Sequence, residues 1–89
     1  MKLNGNYEKV AAVDDLWLGI PIMMSMDDRR PILELNHTAS EFWDCIAAGC
    51  TEEQIVEACV LKYHLTQENA EKQVSDFIAM MRKHEIIDD

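Results

Sequence analysis

Pro31-Ile32-Leu33-Glu34-Leu35-Asn36-His37-Thr38-Ala39-Ser40-Glu41-Phe42-Trp43 changes its hydrophobic period part-way along. Over Pro31 to Leu35, Ile32 and Glu34 share one face and Leu33 and Leu35 the other, the period-two pattern of a short strand. From Ala39 onward the apolar residues are Ala39, Phe42, Trp43, Ile46 and Ala47. Their spacing of i, i+3, i+4, i+7 and i+8 predicts a helix from about Thr38 to Ala48. Thr38 with Glu41 three residues later reads as a capping box, with Asn36 as a competing cap. Gly49 is a suitable residue to end the helix. A strand therefore hands over almost directly to a helix, and this junction divides the chain.

Upstream of it the sequence reads as strands. Tyr7 to Val13 is short, with Tyr7, Lys9, Ala11 and Val13 on one face. Asp14-Asp15 is a turn. Leu16 to Met24 is a nine-residue apolar run whose branched and aromatic content favours a strand. Pro21 has no N–H to give a ladder, so the strand is interrupted or at an edge there. Ser25 to Arg30 is a polar loop that leads to the strand at Pro31. Three strands in a meander cannot stand alone and need helices against one face.

Downstream it reads as helices. A second capping box, Thr51 with Gln54, opens a helix that turns Ile55, Val56, Cys59, Val60 and Tyr63 inward. A third helix runs from near Thr66 to about His84, about 27 Å long. Its stripe is Ala70, Val74, Phe77, Ile78 and Met81. Glu68 and Glu71 near its start and Arg82 and Lys83 at its end complement the helix dipole. Ile86-Ile87 is expected to fold back onto the core, with Asp88-Asp89 in solvent. The predicted fold is α+β and winged helix-turn-helix-like, a three-stranded antiparallel sheet followed by three helices.

Length and charge narrow the function. Eighty-nine residues, 48% of them hydrophobic, supply one small core, so the expectation is a single domain over residues 1–89. The net charge is −9, and most of it falls after residue 36, where eleven acidic residues face four basic ones. Phosphate neutralisation needs a basic surface, so the balance opposes nucleic-acid binding. It does so at the very helix that would enter a groove, because Gln67, Glu68, Asn69 and Glu71 occupy its start. A membrane span needs roughly 20 consecutive apolar residues, and none occurs. Lys2 is followed by no apolar segment of the kind that directs secretion, so the expected location is cytoplasmic. Cys45, Cys50 and Cys59 are odd in number and lack CxxC spacing, which reads as free thiols, with Cys50 the most exposed.

No catalytic constellation is visible, and the expectation is a protein that is not an enzyme. His37, His64 and His84 are far apart and lack the spacing of a metal site. Glu52-Glu53 is simple first-turn charge, and there is no glycine-rich phosphate loop. No cofactor is expected. Met23, Met24, Met26, Met80 and Met81 fill core gaps or form an adaptable apolar surface. Met80 lies off the main stripe of the third helix and is expected to project beyond the core.

The segment Leu35-Asn36-His37-Thr38-Ala39-Ser40-Glu41-Phe42-Trp43 resembles the LNxTAxxxW signature of the PqqD-like family. Gly49-Cys50-Thr51-Glu52-Glu53-Gln54-Ile55 extends the match, as do Tyr63-His64-Leu65 and Val74 with Phe77, Ile78 and Met81. The family commonly has glycine before its last apolar pair, where this chain has Glu85. The resemblance implies a recognition element that binds the leader segment of a ribosomally made precursor peptide. The element presents that peptide to a modifying enzyme, often a radical S-adenosylmethionine protein. It also implies that the leader adds as a strand beside the third strand, in a cleft against the third helix.

These residues suit such a site. Strand addition needs a free edge, and the strand from Pro31 ends the meander. The expected peptide-binding residues are Arg30, Ile32, Leu33 and Glu34 on the strand side and Gln73, Asp76, Phe77 and Met80 on the third helix. Arg29 and Arg30 suit acidic leader residues, whereas the acidic helical half suits basic ones. A homodimer is the competing use of the edge, because exposed edges are commonly self-paired. Trp43 is expected in the core. Trp17 is expected on the sheet's outer face, as a contact with the modifying enzyme. The alternative function is an acidic winged-helix transcriptional regulator or protein-interaction module.

Overall fold

The computed structural model describes residues 1–22 and 30–88. The elements run β1 (Lys2–Leu3), β2 (Tyr7–Val13), β3 (Leu16–Pro21), β4 (Leu33–Leu35), α1 (His37–Ala47), α2 (Glu52–Tyr63), α3 (Gln67–Lys83) and β5 (Ile87–Asp88). The α+β reading holds, with a three-stranded antiparallel sheet in the order β2-β3-β4 and three helices, of which α1 packs on β3 and β4 and α3 packs on α1 and α2. The expectations for Met23, Met24, Met26 and Arg29 lie outside the described residues.

The sheet is built on one hairpin. Val13 faces Leu16 across the turn Asp14-Asp15, and Tyr7 faces Pro21 at the open end. A bulge between Ala11 and Val13 shifts the register next to the turn. Pro21 closes β3, so its missing N–H falls at a strand end. β4 pairs with β3 through Trp17–Leu35, Leu18–Glu34 and Gly19–Leu33. It is shorter than the expected Pro31–Leu35. The segment before it is tied by side chains instead, because the Tyr7 hydroxyl donates to the Pro31 carbonyl at 2.9 Å.

Gly19 decides which side of the sheet is covered. A Cβ there would lie 3.3 Å from the Trp43 ring, so the glycine admits the tryptophan against the strand. Trp17, Gly19 and Pro21 accordingly face the helices, and Leu18 and Ile20 point to the other side. Lys9 sits on the covered side. Its ammonium donates to the Ser40 hydroxyl (2.7 Å) and to Asp44 (2.6 Å), and lies 4.3 Å from the centre of the Trp17 ring. The lysine thereby joins β2 to α1, and the buried Ser40 has a partner.

The core holds Leu35, Phe42, Trp43, Ile46, Ile55, Val56, Cys59, Ala70, Val74, Phe77, Ile78 and Met81, as the helical stripes foretell. Val60 and Tyr63 are half-buried at its margin, and Ala47 is exposed rather than part of the stripe. The N-terminus of α1 corrects an expectation. Asn36, not Thr38, caps it, with its side-chain oxygen accepting from the Ala39 N–H at 2.9 Å. Glu41 is drawn away to Lys62 and to the Tyr63 hydroxyl. The second box is present in full, with Thr51 and Gln54 satisfying each other's backbone N–H.

α1 and α3 end alike. Gly49 has φ 91° and Glu85 φ 58°. The Gly49 and Cys50 N–H groups donate to the Ile46 and Cys45 carbonyls, both at 3.0 Å. Those of Glu85 and Ile86 donate to Arg82 and Met81, at 3.0 and 2.9 Å. Both are Schellman motifs, and in the second a glutamate holds the left-handed position that favours glycine. Ile86 and Ile87 do return to the core, at 1% and 6% exposure. Beyond the expectation, β5 pairs antiparallel with β1, Lys2 opposite Asp88 and Leu3 opposite Ile87.

Candidate functional site

The edge of β4 away from β3 pairs with no other strand among the described residues. Where β4 ends, a groove of about 290 Å³ begins, lined by Asn36, Thr38, Ala39 and Phe42 on one side and Gln73, Asp76 and Phe77 on the other. The sequence explains the juxtaposition. Asn36 is both the residue after the strand and the cap of the helix, so the first turn of α1 lies beside the strand end. The stripe of α3 then packs Phe77 on Phe42, ring centroids 5.6 Å apart and planes tilted by 55°. The two rings, 8% and 5% exposed, make an apolar floor, and amide, hydroxyl and carboxylate groups make the rim. Asp76 is ion-paired to Lys72 at 2.7 Å, so the rim carries little uncompensated charge.

Of the eight expected residues, Gln73, Asp76 and Phe77 line this groove. Leu33 turns inward against the core. Glu34 is paired with Leu18 and lies on the opposite face of the sheet. Ile32 is 60% exposed just ahead of β4. Met80 packs half-buried against the core, one turn past the groove, rather than projecting beyond it. Arg30 holds the sheet together. Its guanidinium donates to the Asn6 carbonyl (3.1 Å) and the Ile22 carbonyl (2.7 Å), over the Tyr7 ring. Asn36, Thr38, Ala39 and Phe42 are groove residues that the sequence reading assigned to capping or core. The strand-to-helix handover was the signal that places them beside the edge.

A larger groove of about 680 Å³ lies between α2 and α3, lined by Glu52, Glu53, Val56, Glu57, Gln67, Glu71 and Ser75. Four carboxylates border the face that a recognition helix would offer to a duplex, so the field there repels phosphate. No group of three metal-ligating side chains occurs among the described residues. No helix among them is long and apolar enough to cross a membrane.

Beside the first groove, Glu41 organises the junction of α1 and α2. It accepts from Lys62 and the Tyr63 hydroxyl, and His37 Nε2 lies 3.1 Å away. Burial by itself would raise the Glu41 carboxyl, but the hydrogen bonds from Lys62 and Tyr63 outweigh it and hold the group below the usual carboxylate range.

The far face of the sheet is a second surface of note. Val10, Leu18 and Ile20 are half-buried there. They do not belong to the set packed against the core, unlike Trp17 and Leu33. Val10 faces Leu18 across the ladder, Glu8 faces Ile20 and Glu34 faces Leu18. The result is an apolar strip between two carboxylates. Trp17 is therefore not an outer-face residue as expected; alternation from Gly19 turns it inward, and Leu18 and Ile20 outward.

Residues 22–87 match the family model for coenzyme PQQ synthesis protein D. The chain belongs to the PqqD family. The Leu35-Asn36-His37-Thr38-Ala39 piece that resembles the PqqD-like signature spans the end of β4, the cap and the first turn of α1, and three of its residues line the groove. A solved structure described as TbiB1 in complex with the TbiA(beta) leader peptide shares the fold, with a TM-score of 0.77 at 21% identity. The alignment covers 97% of this chain and 93% of that one. A comparison with curated proteins found no match. The departure from the PqqD pattern at Glu85 leaves the end of α3 intact, because the left-handed turn forms with glutamate.

Proposed function

We propose that this chain binds the leader segment of a ribosomally synthesised precursor peptide and presents it to a modifying enzyme, without catalysing a reaction itself. The observation that carries this reading is the edge of β4, which has no partner strand among the described residues, running into a groove walled by α1 and α3. An extended peptide adds to such an edge through main-chain hydrogen bonds, and its alternate side chains give specificity. The apolar floor of Phe42 and Phe77 suits an apolar leader side chain, and Asn36, Thr38 and Gln73 supply polar contacts beside it. Membership of the PqqD family and the likeness to a structure that holds a leader peptide support the same reading.

Presentation needs a second surface that the bound peptide leaves open. The strip Val10, Leu18 and Ile20 between Glu8 and Glu34 is on the opposite side of the sheet from the helices. It suits an enzyme with an apolar ridge flanked by lysine or arginine. We further infer that this enzyme is a radical S-adenosylmethionine protein, as the family resemblance implies, and that the chain works in the cytoplasm.

The test is an NMR titration with the leader of a precursor peptide encoded beside this chain. The expected result is amide shifts over Ile32 to Leu35 and over Gln73 to Phe77. Shifts confined to the acidic groove of α2 and α3, or no binding, would sink the proposal. Sedimentation with and without the leader separates this from two copies pairing along β4, because the leader would then dissociate a dimer.

A further inference from the structure

Two of the three cysteines sit at paired positions of one Schellman motif. Cys45 is the third residue from the end of α1 and Cys50 is the second residue after its cap. The Cys50 N–H donates to the Cys45 carbonyl at 3.0 Å, so the two backbones are adjacent. In this motif the side chains at these two positions meet, usually as an apolar contact. Here both are thiols, and both are half-buried. Gly49 between them has φ 91° and open space at its Cβ position, so the turn is neither strained nor crowded. Cys59 differs, being buried in the core at 2% exposure. Nothing in the peptide-binding reading uses any of the three.

We propose that Cys45 and Cys50 form a two-electron oxidation site that closes to an internal disulfide when it meets a small-molecule disulfide such as oxidised glutathione. A disulfide needs adjacent backbones with side chains that can meet; the six-residue turn supplies the first, and the side-chain contact usual to the motif supplies the second. Cys50 lies beyond the helix end and makes the first attack. Burial, and then the neighbouring Cys50 thiol, push the Cys45 thiol up, which suits it to the second step. The Cys50 sulfur, after losing its proton, attacks one sulfur of the reagent; the S–S bond of the reagent breaks, and one thiol leaves with that proton. Cys45 then attacks the Cys50 sulfur, loses its proton, and expels the second reagent thiol. Two protein thiols are oxidised, one small disulfide is reduced to two thiols, and the new bond fastens the end of α1 to the residue before the cap of α2.

The experiment treats the purified, reduced chain with oxidised glutathione and measures intact mass and peptide maps without reductant. Wild type is expected to lose the mass of two hydrogens, retain no glutathione and yield a joined Cys45–Cys50 peptide. Cys45→Ser is expected to stop at a stable Cys50–glutathione mixed disulfide, and Cys59→Ser to behave as wild type. Glutathione retained on wild type, a bridge to Cys59, a bridge between molecules, or no reaction would each overturn the proposal. The peptide map of wild type names the joined residues by itself, so the test stays decisive if either substitution fails to fold.

Discussion

Glu85 occupies a backbone region that glycine enters freely and other residues enter at a cost. Its carbonyl receives the side-chain amides of Asn4 and Asn6, and these bonds survive any change of side chain. Glu85→Gly is therefore expected to stabilise the fold by roughly 0.5–1 kcal/mol, read as a higher urea midpoint with an unchanged slope. Glu41 makes a prediction about acid. Its carboxyl is depressed in the folded state, so its contribution is present above the unfolded value and is lost as pH falls through the lower, folded one. Urea titrations at neutral and acid pH are expected to show wild type ahead of Glu41→Gln at neutrality and level with it in acid. Such pairings explain what was illegible at this scale. Thr38 and Glu41 have box spacing, but Lys62 and Tyr63, which claim Glu41, come to it only through the packing of α2 on α1. Lys9 reads as a strand polar residue, and nothing nearby in sequence announces Ser40 and Asp44.

At the scale of elements, the handover from strand to helix was legible because the two periods differ, with Leu35 on the buried side of the strand and Phe42 on that of the helix. The cap at Thr51 was legible for the same local reason, and so was the start of α3 near Thr66, whose role as its cap the structure adds. β1 and β5 were not, since two residues are too few to display a period and their pairing joins opposite ends of the chain. The groove was half legible. Gln73, Asp76 and Phe77 share a face of α3 by spacing alone, whereas the wall from α1 depends on the angle between the helices. Gln73→Trp is expected to fill the groove from an exposed helical position. Leader affinity measured by calorimetry should fall at least tenfold, about 1.4 kcal/mol, with little change in the unfolding midpoint. Unaltered affinity would place the peptide elsewhere.

For the whole molecule, the division of charge matches a division of surfaces. The carboxylates gather on α2 and α3, away from a groove whose own rim is nearly neutral. The sheet offers its uncovered side between Glu8 and Glu34, which have no ion pair among the described residues. The variant Glu8→Lys, on the strand farthest from the β4 edge, is expected to weaken association with the modifying enzyme severalfold and to leave leader affinity unchanged, as measured by surface plasmon resonance. Added salt should weaken the wild-type association as well. The sequence could show that both faces of β3 are apolar, but not which one the helices cover; Gly19 decides that through Trp43. Finally, β1 against β5 brings Lys2 and Asp88 side by side. Each short strand is the other's ladder partner, so this seam opens or closes as a unit, while the β2-β3-β4 sheet keeps a ladder of its own.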